Sequence, residues 1–279
     1  METERYLTNS AKVETHDIDW TLARRVGLTE DERFVLTYFA DIEWQTVIYL
    51  RDFLNTTAAL EPDVLAFLSV WNYEEFFHGR ALARLMAECG CPLEKERIVT
   101  VRHQSQLSEP FEAMLATLAS RVFRNQFPAL YMTWGASQEI TALQGYEHLR
   151  RMTPNPALKL LCERIAKQER RHFAWYFNSA RERLAQSRTA QKLTKTLLQR
   201  VWSPVGAGVK SGHDVFRLIH ILFPADKAQN MAQGIDRKIA SLPGLEGMEL
   251  MGPFIKKTAA HFQRLQRQHK TSEEIAVTG

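Results

Sequence analysis

Two stretches, Tyr73-Glu74-Glu75-Phe76-Phe77-His78 and Gln168-Glu169-Arg170-Arg171-His172, repeat one Glu-x-x-His spacing, and their reading decides the fold. On an α-helix, residues i and i+3 lie about one turn apart on the same face. Glu75 with His78, and Glu169 with His172, can therefore each point at one ion. Each pair has a solitary Glu about thirty residues upstream, Glu43 before the first and Glu139 before the second. Four helices would then supply four carboxylates and two imidazoles, the ligand set of a dinuclear carboxylate centre inside a helical bundle.

Working outward, the helix boundaries test that idea. Thr29-Glu30-Asp31-Glu32 resembles a capping box, so a first long helix is expected from there to about Thr57. Glu61-Pro62-Asp63 opens a second, with Pro62 where its missing N–H costs nothing, and Cys89-Gly90-Cys91-Pro92 closes it. A shorter helix, about Pro110 to Asn125, follows a loop. Two more long helices, about Phe127 to Met152 and Ala157 to Ala185, flank Thr153-Pro154-Asn155-Pro156.

Glu43, Glu75, Glu139 and Glu169 each lie about fourteen residues from their hairpin turn, roughly 20 Å at 1.5 Å per residue. In antiparallel hairpins all four carboxylates reach similar heights. Glu32 and Glu147 fail this test, and His103, His148, His213, His220 and His261 lack carboxylates at the right depth. Aromatic residues crowd both motifs: Trp71, Tyr73, Phe76 and Phe77 around one, Phe173, Trp175, Tyr176 and Phe177 after the other. Carboxylates buried among them would be very costly without a cation. The aromatics themselves are read as core, and Tyr131, Tyr146 and Tyr176 are not nominated for radical chemistry.

The chain has 279 residues, 45% of them apolar, with 13 Gly and 10 Pro, and strand-like alternation is almost absent. It is expected to form a single all-α ferritin-like domain. A four-helix bundle core spans about 29–186, additional C-terminal helices about 187–270, and a short disordered tail 271–279. Amphipathic segments around Val215–Phe223 and Leu250–Gln268 belong to that extension. Cys89, Cys91 and Cys162 form neither a disulfide framework nor a Cys-x-x-Cys pair, which fits reduced thiols in a cytoplasmic protein. No apolar run approaches the ~20 residues of a membrane span, and the polar, acidic start is unlike a signal peptide. The net charge is +4, with basic side chains at Lys167/Arg170/Arg171 and from Arg181 to Arg200. No nucleic-acid-binding motif accompanies them, so nucleic acid is not expected as a partner.

Carboxylate oxygens with one imidazole per ion suit iron, or alternatively manganese, better than zinc or copper. Glu75 and Glu169 are the natural bridges, with Glu43/His78 and Glu139/His172 as terminal pairs. No catalytic residue is expected beyond these ligands.

Glu74-Glu75-Phe76-Phe77-His78-Gly79 resembles the Glu-Glu-Asn-Arg-His-Gly motif of the soluble acyl-acyl carrier protein desaturases. Gln168-Glu169-Arg170-Arg171-His172 is similar to their Asp-Glu-Lys-Arg-His, and Ser137-Gln138-Glu139 to their Phe-Gln-Glu. The resemblance covers about Thr29 to Ala185. It implies a di-iron centre that uses O2 and electrons from a ferredoxin-type donor to introduce a double bond into a carrier-bound acyl chain, in a homodimer. Acidic acyl carrier protein would suit the basic face. This chain departs from the family at Phe76-Phe77 (Asn-Arg there), at Gln168 (Asp there) and at Ala142 (Thr there). These changes keep the ligands and bear on the reaction outcome. A di-iron oxygenase that hydroxylates or N-oxygenates another substrate, and an iron oxidase or storage protein, are the competing readings.

Overall fold

The computed structural model describes residues 3–105, 117–207 and 209–260. The chain is all-α, and no strand occurs among the described residues. Two short helices, α1 (Thr3–Thr8) and α2 (Trp20–Val26), precede the long α3 (Glu30–Leu54) and α4 (Pro62–Glu88). Next come α5 (Arg97–Ser105) and α6 (described at 117–122), then α7 (Phe127–Met152) and α8 (Pro156–Gln186). The C-terminal part holds α9 (Arg188–Val201), α10 (Gly212–Leu222), α11 (Ala225–Ala240) and α12 (described at 251–260).

The capping signals behave as their chemistry requires. Thr29 accepts from the Glu32 amide while the Glu32 carboxylate takes the Thr29 N–H, a complete capping box. Pro62 occupies the first turn of α4. α3 stops at Leu54, short of the expected Thr57, because Thr56 turns its hydroxyl onto the Phe53 carbonyl and a 3₁₀ turn, Thr57–Leu60, follows. Asn155 caps α8 through its side-chain oxygen, and its amide nitrogen donates to the carbonyls of Ala23 and Gly27. One residue thus starts a helix and ties α2 to the α7–α8 turn. The first part of the helix expected over Pro110 to Asn125, residues 110–116, lies outside the described residues. Beyond it, 117–122 is helical and 123–126 is a turn. The tail at 271–279, and Leu250–Gln268 beyond residue 260, also lie outside them. α5 occupies a stretch read as loop.

α3 packs along α4, and α7 along α8, as two antiparallel hairpins. α4 meets α8, where Phe67 stacks on Trp175 with ring centroids 3.8 Å apart. α3 meets α7 through the ring contacts Phe39–Tyr146 and Phe53–Tyr131. α1 lies on α4; α9 and α11 lie against α7, and α10 against α3. One apolar core runs from Tyr6 to Met251 through all of these elements. Buried Asp41 of α3 pins the periphery, accepting from Nε and Nη2 of Arg97, each at 2.7 Å, and pairing with Lys210. No described helix is long and apolar enough to cross a membrane.

Candidate metal centre

The hairpin geometry carries six titratable side chains to one depth. Glu43, Glu75, His78 and Glu169 form one group whose ligand atoms all lie within 4.8 Å of one another, and Glu75, Glu139, Glu169 and His172 form a second. All six residues named from the sequence are in these groups, and Glu75 and Glu169 belong to both. Every one is buried, the two histidines to 0% exposure.

Both imidazoles turn Nδ1 inward. His78 Nδ1 lies 3.3 Å from Glu169, 3.6 Å from Glu43 and 3.7 Å from Glu75. His172 Nδ1 lies 2.8 Å from Glu75 and 3.5 Å from both Glu139 and Glu169. The outer nitrogens are engaged: His78 Nε2 faces Gln168 Oε1 at 2.7 Å, and His172 Nε2 faces Glu74 Oε2 at 2.9 Å. With the ring proton on Nε2, each Nδ1 lone pair faces the cluster, the orientation that an outer acceptor imposes on a metal-binding histidine.

The terminal carboxylates have outer partners too. Trp71 Nε1 donates to Glu139 Oε1 at 2.9 Å, and the Tyr146 hydroxyl donates to Glu43 Oε1. Trp71 and Tyr146 are buried, as core aromatics should be, but each ends in a donor aimed at the site. Periodicity identified their burial; only the helix pairing reveals what their polar ends touch. Glu74 was visible only as a motif neighbour and Gln168 as the departure from an Asp; the bond of each to a site histidine comes from the helix pairing.

Electrostatics expose the cost of this arrangement without cations. Burial, then the charges of Glu169 and Glu43, pushes Glu75 well above the usual carboxylate range. Burial also pushes Glu139 up to about 8, against the opposing pull of the nearby His172. Glu169 moves the other way: despite burial, His172 and His78 hold it below its ordinary value. Burial disfavours charged imidazoles, yet the surrounding groups raise both His78 and His172. The metal-free cluster therefore shares protons among groups that repel one another.

Five buried atoms in the cluster have no aligned hydrogen-bond partner: Glu75 Oε1, both oxygens of Glu169, and the Nδ1 atoms of His78 and His172. The 2.8 Å approach of His172 Nδ1 to Glu75 is close but not aligned as a hydrogen bond. These are the atoms that the two overlapping groups direct at their centres, and unsatisfied buried polar atoms are rare in folded proteins. Four carboxylates balance the charge of two divalent cations. The residues present fit a metal centre.

The excluded residues lie elsewhere. Glu32 serves the α3 cap, and Glu147 is held by Arg150, Arg151 and Arg170. His148 packs on Phe223 with centroids 4.3 Å apart, and His220 stacks on Phe216. His213 is exposed. The side chains of His103 and His261 lie outside the described residues. Cys89, Cys91 and Cys162 are free thiols outside both groups. No family model, curated protein or solved structure gives a significant match to this chain.

Proposed function

We propose that this chain is an O2-dependent di-iron oxidoreductase of the acyl carrier protein desaturase kind, built on a ferritin-like bundle. The observation that carries this reading is the pair of overlapping buried groups joined by Glu75 and Glu169, with five unpartnered polar atoms between them. Glu43 and His78 would complete one iron position, Glu139 and His172 the other, and hard oxygen donors favour iron. Two irons, when bound, supply paired electrons for O2 reduction.

The reaction balances as a CH2–CH2 unit, O2, two electrons and two protons giving a CH=CH unit and two waters. The electrons come from a ferredoxin-type donor. The residues of this chain hold the site for it: Gln168 and Glu74 orient the imidazoles, Tyr146 and Trp71 hold the outer carboxylates, and burial excludes bulk water. The substrate in this reading is an acyl chain on acyl carrier protein, delivered to a cytoplasmic homodimer. Exposed basic residues of α8 and α9, Arg181, Arg188 and Arg200 among them, offer the acidic carrier a complementary face.

One observation favours a second reading. Thr141 turns its hydroxyl back onto the Ser137 carbonyl, and position 142 is alanine, so neither residue offers a hydroxyl beside Glu139. Proton delivery would then differ from the desaturase pattern, and a di-iron oxygenase that hydroxylates or N-oxygenates its substrate would use the same ligands. Intact-mass analysis of acyl-carrier substrates, incubated with iron-loaded, reduced protein and O2, separates these outcomes. Loss of two hydrogens supports desaturation, and gain of one oxygen supports the oxygenase. Unchanged mass with two irons bound and O2 consumed removes the acyl substrate and points to a small-molecule oxygenase or an iron oxidase.

A further inference from the structure

The N-terminal segment, Tyr6 to Ala11, reaches across 60 to 160 residues of sequence to the outer face of the metal centre. The Tyr6 hydroxyl donates to Glu74 Oε2 at 2.9 Å, the same oxygen that takes His172 Nε2. The Ala11 N–H donates to the other oxygen, Glu74 Oε1, at 3.0 Å. The Ala11 carbonyl accepts from Gln168 Nε2 at 2.7 Å, and Gln168 Nε2 also lies 3.3 Å from Glu74 Oε1. With two acceptors on its nitrogen side, the Gln168 amide has one favourable orientation, and that orientation presents Oε1 to His78. Arg171 closes the network, donating to the Asn9 carbonyl and pairing with Glu74.

The peptide groups of one residue, Ala11, thus hold both acceptors that orient the two site imidazoles. Tyr6 is 2% exposed and packs on Phe67, so its ring anchors the segment while its hydroxyl completes the Glu74 shell. Glu74 itself is 0% exposed, and without these donors its carboxylate would be buried with fewer partners than it needs.

We propose that the segment Tyr6–Ala11 is a positioning clamp for the dinuclear centre, acting on His172 through Glu74 and on His78 through Gln168. This inference rests on the metal-binding reading above and adds to it a dependence on residues distant in sequence from every ligand. The two sides are unequal. Tyr6 touches only the Glu74 branch, whereas Ala11 touches both.

The test is anaerobic ferrous titration of the full-length metal-free protein, wild type against Tyr6→Phe and Tyr6→Phe/Ala11→Pro. Metal stoichiometry and affinity are read together with the hyperfine-shifted imidazole N–H proton resonances. Tyr6→Phe keeps the packed ring, so helical circular dichroism reports that the fold persists. The expected result is that Tyr6→Phe weakens one of two ferrous ions by about tenfold or more and shifts one imidazole N–H resonance. The double variant also strips the Ala11 N–H from Glu74 but keeps the Ala11 carbonyl on Gln168, so it should weaken the same ion further and leave the His78 resonance in place. Two ions held at wild-type affinity, with unmoved resonances, in both variants would overturn the clamp. If wild type binds no ferrous ion, the metal reading itself fails, and that failure appears before any variant is compared.

Discussion

Tyr146, on α7, donates its hydroxyl hydrogen to Oε1 of Glu43, on α3. The bond joins one helical hairpin to the other at the depth of the metal centre, and it fixes one of the two terminal carboxylates. Burial, reinforced by the charge of Glu43, pushes the Tyr146 phenol well above its ordinary range, so it stays a donor across the physiological pH range.

Tyr146→Phe should leave a buried carboxylate oxygen without its donor. Metal-free protein is expected to lose about 1–3 kcal/mol of stability. The loaded protein should hold the ion next to Glu43 about tenfold less tightly. Urea unfolding in the presence of chelator reads the first effect and ferrous titration the second. Unchanged values in both would remove any role for this bond.

Glu75→Ala and Glu169→Ala should each abolish dinuclear binding, because both residues belong to both groups. Glu139→Ala removes a member of one group only and should leave a single ion bound. Metal content per chain after gel filtration, beside circular dichroism for helicity, checks the contrast. Full metal retention in both bridging variants would sink the ligand assignment.

The metal-free protein should lose stability as pH rises from about 5 through 8. Glu139 has a folded pKa of about 8 against an ordinary 4.5, so the folded state holds more protons in that window. His78 and His172, raised above 6.5, act in the same direction; their contribution is present at low pH and fades as pH passes their folded values. Glu169 has the opposite sign but acts below this window, because a lowered carboxylate contributes fully above its ordinary pKa and loses that contribution only in acid. Each extra proton held by the folded state costs about 1.4 kcal/mol per pH unit. Metal loading displaces these protons and should reverse the slope. Chemical denaturation at several pH values, with chelator and with iron, reads both signs.

Asp41→Ala should destabilise the protein by about 3 kcal/mol or more, since it strands Arg97 and Lys210 beside a buried site. The residue lies outside both metal groups, so the variant should still take up two ferrous ions once folded. A stability loss without a change in stoichiometry separates the structural role of Asp41 from that of its neighbour Glu43.

Much of the centre was legible in the chain because a helix has one period. Glu-x-x-His at i and i+3 places two donors on one face whatever the surroundings, and equal distances from a turn place residues of a hairpin at equal depth. Thr29, Pro62 and Asn155 mark helix starts through local hydrogen bonding or its absence, so those boundaries hold. The end of α3 was overrun by three residues, because a Thr56 hydroxyl bonding back to Phe53 leaves no periodic trace. α1 and α2 were not anticipated: they are only 6 and 7 residues long and owe their place to packing on α4 and α8.

By itself, then, the sequence determined an all-α chain and the six side chains that meet, since both follow from spacing along single helices and from turn positions. The tertiary structure decided which outer partner each ligand has. Gln168 lies one residue before Glu169, yet it serves His78, 90 residues away, and Glu74, beside Glu75, serves His172 on the other hairpin. No periodicity encodes that exchange. It arises because α4 and α8 meet at the motifs, so the residue preceding each ligand pair faces the histidine of the other helix, and because the segment from Tyr6 to Ala11 folds back to hold both acceptors in place.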